Sequence, residues 1–125
     1  MSTHSTMAAH STTRGRVVLV PFPFDDLSSV KVRPVVCLTE PVGQYRHIVL
    51  AFITSQTPAD LQETDLVLAP SDPDFVATGL RLPSTVRLHR LMTVRAALIR
   101  RQLGALSPKL LRDVENRLRD VFGLT

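Results

Sequence analysis

The sequence contains few cysteines and few aromatic residues, and these absences narrow its class. The single cysteine, Cys37, excludes an internal disulfide framework and cannot by itself supply a thiolate metal cluster. Aromatic residues make up 5% of the chain, so we expect a core of Val, Leu, Ile and Ala. No apolar run approaches the ~18 residues that a membrane helix needs. The 125 residues therefore predict one small globular domain with no membrane segment.

Acidic residues are scarce in the second part of the chain. Residues 1–74 carry five cations and eight acids, whereas residues 75–125 carry ten cations and three acids. No acid lies between Asp74 and Asp113, and 13 of the 15 cations in the whole chain are Arg. This distribution favours an anionic partner such as nucleic acid, and a solvated basic face that only keeps the protein soluble explains it equally well.

The first 13 residues lack charged side chains and apolar periodicity. Because they also lack the basic and apolar regions of a secretory signal, we predict a disordered tail on a cytoplasmic protein. The single domain is predicted over residues 14–125. Met1 and Met7 are both candidate start sites.

Short β-branched segments dominate the domain and predict a β-rich (α+β) fold. We expect strands over 17–20, 35–38, 47–54, 66–68 and 85–89, separated by segments rich in Pro, Asp and Ser. Residues 97–103 suit a last strand or a helical turn. In the strand over 85–89, alternation directs Val86 and Leu88 to the core and puts Arg87 and His89 on the opposite face.

One convincing helix is predicted, at the end of the chain. Ser107 suits the N-cap, Pro108 the first helical position and Gly123 the stop. Between them, apolar residues recur at helical spacing: Leu110, Leu111, Val114, Leu118, Val121 and Phe122. Several short strands followed by an amphipathic helix predict a small domain of the β-barrel type.

Three polar clusters are candidates for chemistry, although a structural role is the better explanation of each cluster taken alone. In Lys31-Val32-Arg33-Pro34, the proline favours extended backbone at Arg33, whose guanidinium could clamp a phosphate or pair with a carboxylate. The segment 52–56 (FITSQ) ends a strand in groups that could contact phosphate or ribose, or cap the strand. Arg87-Leu88-His89 combines a cation with a ring that titrates near neutrality. There is no Gly-rich phosphate loop and no Cys/His array with metal spacing.

These three clusters and several further segments, taken in their order along the chain, resemble the MazF/PemK family of toxin endoribonucleases. The resemblance covers about residues 14–124 and rests on 14–15 (RG), 20–24 (VPFPF), 31–34 (KVRP), 53–56 (ITSQ), 77–80 (ATGL), 83–84 (PS), 86–88 (VRL) and 103–107 (LGALS). It implies a homodimeric SH3-like barrel with a C-terminal α-helix. It further implies cleavage of single-stranded RNA without a metal or other cofactor, and inhibition by a cognate antitoxin, for which we expect an acidic, disordered segment.

The resemblance also implies site residues. Arg33 and Thr54 match the family's main catalytic positions, and Ser55 matches a neighbouring hydroxyl. Arg87 matches the Arg of the PemK branch's Arg-x-Asp motif, in which His89 replaces the usual Asp. These five residues form the predicted catalytic set. The predicted substrate contacts are Phe22, Phe24, Asp25, Asp26, Ser28, Lys31, Gln56 and Ser84.

The sequence departs from the family pattern at two further points. Arg16 stands where the family usually carries an acid, and the loop 25–29 (DDLSS) differs from that of the best-known members, so the RNA sequence preference cannot be carried over. Two other functions stay open at this point. A toxin of the same fold can poison DNA gyrase by protein binding, and a non-catalytic barrel can bind RNA without cleaving it.

Overall fold

The chain forms a β-sheet followed by one helix in the computed structural model, which describes residues 12–23 and 30–124. Within those residues the strands are β1 (Arg16–Pro23), β2 (Val30–Cys37), β3 (His47–Thr54), β4 (Asp65–Leu68), β5 (Ser84–Arg95) and β6 (Arg101–Ala105). The helix α1 is Pro108–Phe122. Most of the predicted tail (residues 1–11) and four predicted substrate contacts lie outside the described residues; these four are Phe24, Asp25, Asp26 and Ser28.

The strands of the described residues form a single antiparallel sheet in the order β4-β5-β3-β2-β1-β6. The sheet curls into a half-barrel, which brings strands that are distant in sequence next to one another. A curled antiparallel sheet with a C-terminal helix confirms the predicted β-rich, barrel-type fold.

The predicted strands are confirmed in position, and β3 has the predicted bounds. The largest difference is β5, which runs to Arg95 instead of ending at His89. Its pairing with β3 passes from Ala51↔Leu91 to Phe52↔Arg87, so three residues of β5 bulge between consecutive pairs. This bulge interrupts the alternation on which the prediction relied. Residues 97–103 contain both predicted alternatives, the end of a 3₁₀ turn at Ala96–Leu98 and the start of β6.

The core occupies both faces of the sheet. The larger cluster of buried residues lies under α1 and consists of Val17, Val36, Ala51, Ile53, Leu66, Leu68, Phe75, Val86, Leu88, Leu106, Leu110 and Val114. The other cluster is Val18, Val20, Val35, Cys37, Ile48, Leu50 and Val94. Both contain mostly aliphatic side chains, as the low aromatic content predicts. The burial of Val86 and Leu88 confirms the face assigned to them.

The boundaries of α1 follow from its caps. The Ser107 hydroxyl accepts a hydrogen bond from the Leu110 backbone N–H at 3.2 Å and donates one to Asp74 Oδ2 at 2.7 Å. Gly123 ends the helix with a φ of 68°, a conformation that glycine adopts without strain. Leu110 and Val114 are buried, whereas Phe122 in the last turn is largely exposed. Among the described residues, the one α-helix is too short and too polar to cross a lipid bilayer.

Two glycines in the segments 77–80 and 103–107 allow two backbones to pack against each other. A Cβ atom on Gly79 would lie 2.1 Å from the Leu103 carbonyl oxygen, and one on Gly104 would lie 2.2 Å from the Ala77 oxygen. Both distances are far below van der Waals contact. These two motif segments therefore carry a packing requirement of the fold.

Candidate active site

A cavity opens where the pairing between β2 and β3 ends. The two strands pair from Cys37↔Leu50 to Val35↔Phe52. The preceding residue of β2 is Pro34, which has no backbone N–H with which to extend the ladder. Just past this point, residues of both strands line a cavity of about 760 Å³. This volume lies in the range of ligand sites in proteins.

Six of the predicted site residues line this cavity. They come from four separate regions of the sequence, and the neighbouring order β5-β3-β2-β1 brings those regions together. The six residues are Phe22, Arg33, Thr54, Ser55, Gln56 and Arg87. The remaining lining residues are Pro34, Phe52, Ile53, Thr57, Pro58, Ala59, Asp60 and Arg90.

An aromatic pair and two exposed arginines are among the residues that line the cavity. The rings of Phe22 and Phe52 meet edge to face, with centroids 4.9 Å apart and planes at 75°. The Arg90 guanidinium carbon lies 5.6 Å from the centroid of the Phe52 ring, within cation–π distance. Arg33 lies on β2 with an exposed side chain. Aromatic faces beside exposed cations are the groups on which unstacked bases and phosphates bind.

A polar turn follows the last residue of β3. The Thr54 hydroxyl accepts a hydrogen bond from the Gln56 backbone N–H at 3.3 Å, which fixes the start of the turn. Ser55 and Gln56 are exposed at the cavity. Thr54 therefore has the strand-capping contact that is one explanation of this cluster. The turn also offers hydroxyl and amide groups to a ligand.

Arg87 lines the cavity as a nearly buried cation. Its side chain is 10% exposed, and its Nε donates a hydrogen bond to Asp65 Oδ1 at 3.0 Å. Its Nη2 donates to Asp60 Oδ1 at 3.3 Å. Asp65 is fully buried on β4, directly opposite Arg87 in the sheet, whereas Asp60 is exposed on the preceding loop. A charge buried to this extent is tolerated because it is paired and hydrogen-bonded.

His89 contacts the far side of this ion pair. Its Nε2 lies 3.4 Å from Arg87 Nη2, and its Nδ1 lies 3.6 Å from Asp65 Oδ1. The two side chains are thus close together, although His89 lies in the β5 bulge, where the predicted alternation is interrupted. His89 is not among the residues that line the cavity and is adjacent to it through Arg87.

Two other predicted substrate contacts lie outside the cavity lining. Ser84 is buried, and its hydroxyl donates to the Leu82 carbonyl oxygen at 2.7 Å. Lys31 is exposed on β2, two residues before Arg33. The described residues contain no group of three or more His, Cys, Asp or Glu side chains that could hold a metal ion.

Sequence reasoning missed three charged residues at the site, namely Asp60, Asp65 and Arg90. Arg90 directly follows the predicted Arg87-Leu88-His89 cluster and is the last residue of the β5 bulge, which the sequence pattern does not predict. Asp65 is the one acid at the start of an otherwise apolar strand, an unusual place for a charge. That position is a signal of a buried pair, but the sequence does not say with which cation.

The family of the chain follows from comparison with known proteins. The family model of the PemK-like, MazF-like toxins of type II toxin–antitoxin systems matches residues 13–122. The chain belongs to this family. A comparison with curated protein sequences finds no match.

Solved structures of this class have the same fold. An endoribonuclease from a mycobacterial species, solved in complex with its cognate antitoxin, is 18% identical, with a TM-score of 0.66 over 91% of this chain and 97% of that chain. The Mycobacterium tuberculosis toxin MazF-mt6 is 22% identical, with a TM-score of 0.66 over 88% and 98%. A chain of the MazE-MazF structure (Form-III) from Deinococcus radiodurans is 14% identical, with a TM-score of 0.65 over 92% and 99%. At these identities the likeness is one of fold.

Proposed function

We propose that this toxin is a metal-independent endoribonuclease that cleaves single-stranded RNA through the ribose 2′-hydroxyl. The observation that carries the proposal is one cavity lined by Arg33, Thr54, Ser55 and Arg87. Two solved proteins of the same fold are described as endoribonucleases, which supports the same reaction here. The aromatic pair at the cavity supports a single-stranded substrate, because its bases are free to stack on side chains.

The reaction requires positive charge where negative charge develops. Attack of the 2′-hydroxyl on the adjacent phosphorus gives a pentavalent phosphorane, and loss of the 5′-oxygen leaves a 2′,3′-cyclic phosphate and a 5′-hydroxyl end. Arg33 and Arg87 suit the phosphorane because a guanidinium stays charged and its planar fork matches phosphate oxygens. Thr54 and Ser55 would orient the scissile phosphate or the 2′-hydroxyl from the adjacent turn.

Proton transfer needs an acceptor for the 2′-hydroxyl proton and a donor for the departing 5′-oxygen. The guanidinium groups are poor acids in water. Our candidate for one of these roles is His89, because an imidazole exchanges protons near neutral pH and this ring, although outside the cavity lining, adjoins the cavity through Arg87. The remaining role falls to solvent or to a residue that we do not assign.

The proposed partners follow from the same chemistry. Three arginines line the cavity beside one aspartate, so an acidic and partly apolar antitoxin segment would compete with RNA there. The mycobacterial endoribonuclease of similar fold was solved with its cognate antitoxin, which supports this kind of inhibitor. We further propose that the toxin acts in the cytoplasm as a homodimer.

The direct test is an RNA cleavage assay on the purified protein in excess EDTA, with analysis of the product ends. We expect fragments with 2′,3′-cyclic phosphate and 5′-hydroxyl ends, produced at the same rate with and without the chelator. Activity that requires added Mg²⁺ would contradict the metal-independent mechanism.

The same assay separates the two other functions. A gyrase poison would leave RNA intact and cause gyrase-dependent DNA breaks when expressed. A non-catalytic RNA-binding barrel would bind RNA in a salt-sensitive manner and release no product. Either result would reject the nuclease.

A further inference from the structure

A buried carboxylate outside the predicted catalytic set contacts both the cation and the imidazole of that set. Asp65 Oδ1 accepts from Arg87 Nε at 3.0 Å and lies 3.6 Å from His89 Nδ1. Its other oxygen, Oδ2, accepts from the Gln62 backbone N–H at 2.8 Å. Asp65 does not line the cavity and its side chain is fully buried, unlike that of His89, so it has no direct path to a substrate.

The Asp65 contacts fix the direction of the Arg87 side chain. Burial of a carboxylate is costly unless its oxygens are satisfied, and here both accept hydrogen bonds. One bond comes from the backbone, which anchors the carboxylate to the Gln62–Asp65 turn. The other engages Arg87 Nε, so the guanidinium plane cannot rotate without breaking a buried, charge-assisted bond.

The same contacts define the state of the His89 ring. A guanidinium has only hydrogen-bond donors, so the Nε2 atom that faces Arg87 Nη2 acts as the acceptor. In the neutral ring the proton then lies on Nδ1, on the side of Asp65. This tautomer is inferred from the neighbouring groups. Arg87 of its own strand and Asp65 of β4 are thus charged groups in contact with His89.

We propose that Asp65 is a positioning residue that orients Arg87 at the cavity and holds His89 beside it. The inference rests on the proposed nuclease function for its consequence in catalysis, and on the three-residue geometry for its structural part. Misplacement of a catalytic group by about 1 Å can cost up to about a hundredfold in rate. Loss of Asp65 should therefore lower kcat although this residue touches no substrate.

The test is a double-mutant cycle of Asp65→Asn and Arg87→Met, with kcat and KM measured for RNA cleavage. We expect Asp65→Asn to lower kcat by about tenfold to a hundredfold with little change in KM. The double variant should be no slower than Arg87→Met, because a residue that acts through Arg87 has nothing to orient once Arg87 is gone. Multiplicative losses, or a kcat for Asp65→Asn equal to that of the wild type, would overturn the proposal.

Glu115→Gln is the matched control. Glu115 also forms an ion pair with an arginine, Arg14, and neither of these residues lines the cavity. This variant should keep the kcat and KM of the wild type. A loss equal to that of Asp65→Asn would mean that any broken ion pair slows the enzyme, and it would overturn a specific role for Asp65.

A second readout does not depend on cleavage. The NMR signal of the Arg87 Nε–H group, assigned by its absence in Arg87→Met, should be distinct in the wild type and should be lost or shifted in Asp65→Asn. An unchanged signal would overturn the proposal even if the wild type cleaves no RNA. Absence of wild-type cleavage rejects the nuclease function separately.

Asp65→Glu provides the alternative if Asp65→Asn does not fold, because it retains the buried charge with a longer side chain. Across all folded variants, kcat should follow the Arg87 Nε–H signal. A variant that keeps the signal but loses kcat, or the reverse, would contradict the positioning role.

Discussion

Two arginines line the same cavity in opposite environments. Arg33 is exposed on β2 at the point where the β2–β3 ladder stops. Arg87 lies in the interior of β5 with a side chain that is 10% exposed and ion-paired to Asp60 and Asp65. Both place a positive charge at the cavity. Arg87 is in addition ion-paired with Asp65 of β4 and with Asp60 of the loop before it.

This difference shows that an arginine at the cavity has different energetic requirements when it is exposed and when it is buried. An exposed arginine remains hydrated by solvent, so its substitution should affect ligand binding and chemistry while leaving the fold intact. A buried arginine must be paired, so its substitution leaves the charge of its buried partner uncompensated. We therefore expect Arg33 variants to separate activity from stability, and Arg87 variants to change both.

The largest expected effect is on stability in Arg87→Met. Removal of the guanidinium leaves the buried Asp65 carboxylate without its cation, which should lower the free energy of unfolding by about 3–5 kcal/mol. Chemical denaturation measures this loss. Asp65→Asn removes the unpaired charge, so the double variant Arg87→Met/Asp65→Asn should regain part of the lost free energy of unfolding. An Arg87→Met variant as stable as the wild type would remove the contrast between the two arginines.

The next effect is on catalysis in Arg33→Ala. Loss of one preorganised charge from the transition state should lower the rate of RNA cleavage by about a hundredfold to a thousandfold. The thermal midpoint should stay close to that of the wild type because Arg33 is exposed. Arg112→Ala removes another exposed arginine, on α1 and outside the cavity lining, and serves as the control. Retained cleavage in Arg33→Ala would reject its assignment.

The sequence predicts the strands and the helix with its caps because these depend on local patterns, and the family resemblance implies six of the fourteen residues that line the cavity. Thr54 ends β3 and is followed by Ser55 and Gln56, and Pro34 follows Arg33. The local backbone conformation at these residues can therefore be predicted from the residues next to them. The sequence did not reveal Asp65 as the partner of Arg87, because that pairing depends on the register of β4 against β5. It also could not show the bulge in β5, which changes the position of Arg90.

Burial also affects a titratable side chain on β2, the strand that carries the exposed Arg33. This side chain is the thiol of Cys37, which is buried at the end of the strand. Burial raises the pKa of the Cys37 thiol from 9.0 to about 11. The native state therefore keeps its proton between these two pH values while the unfolded state loses it, so stability is full below pH 9 and falls as pH rises to about 11. The total loss is about 3 kcal/mol at about 1.4 kcal/mol per pH unit.

Denaturation of the wild type and Cys37→Ala across this pH range measures the thiol's share. The unfolding free energy of the wild type minus that of Cys37→Ala should fall steadily from pH 9 to pH 11, because only the wild type carries this titration. A constant difference would show that the thiol does not titrate differently in the two states. Cys37 lies outside the cavity lining, so this titration changes stability and leaves the cavity charges unaltered.

The smallest expected effect concerns Asp60, the exposed partner of Arg87. Its carboxylate is 72% exposed and lies 3.3 Å from Arg87 Nη2, where it competes with an incoming phosphate. Exposed ion pairs contribute about 0.2–1 kcal/mol, so Asp60→Asn should tighten RNA binding by no more than about fivefold. Asp120→Asn makes the same charge change on an exposed part of α1 and is the control. Binding of a 2′-deoxy-substituted RNA at low and high salt measures the effect, which should shrink as salt screens the charges. Weaker binding in Asp60→Asn would mean that Asp60 holds Arg87 for the substrate, as Asp65 does.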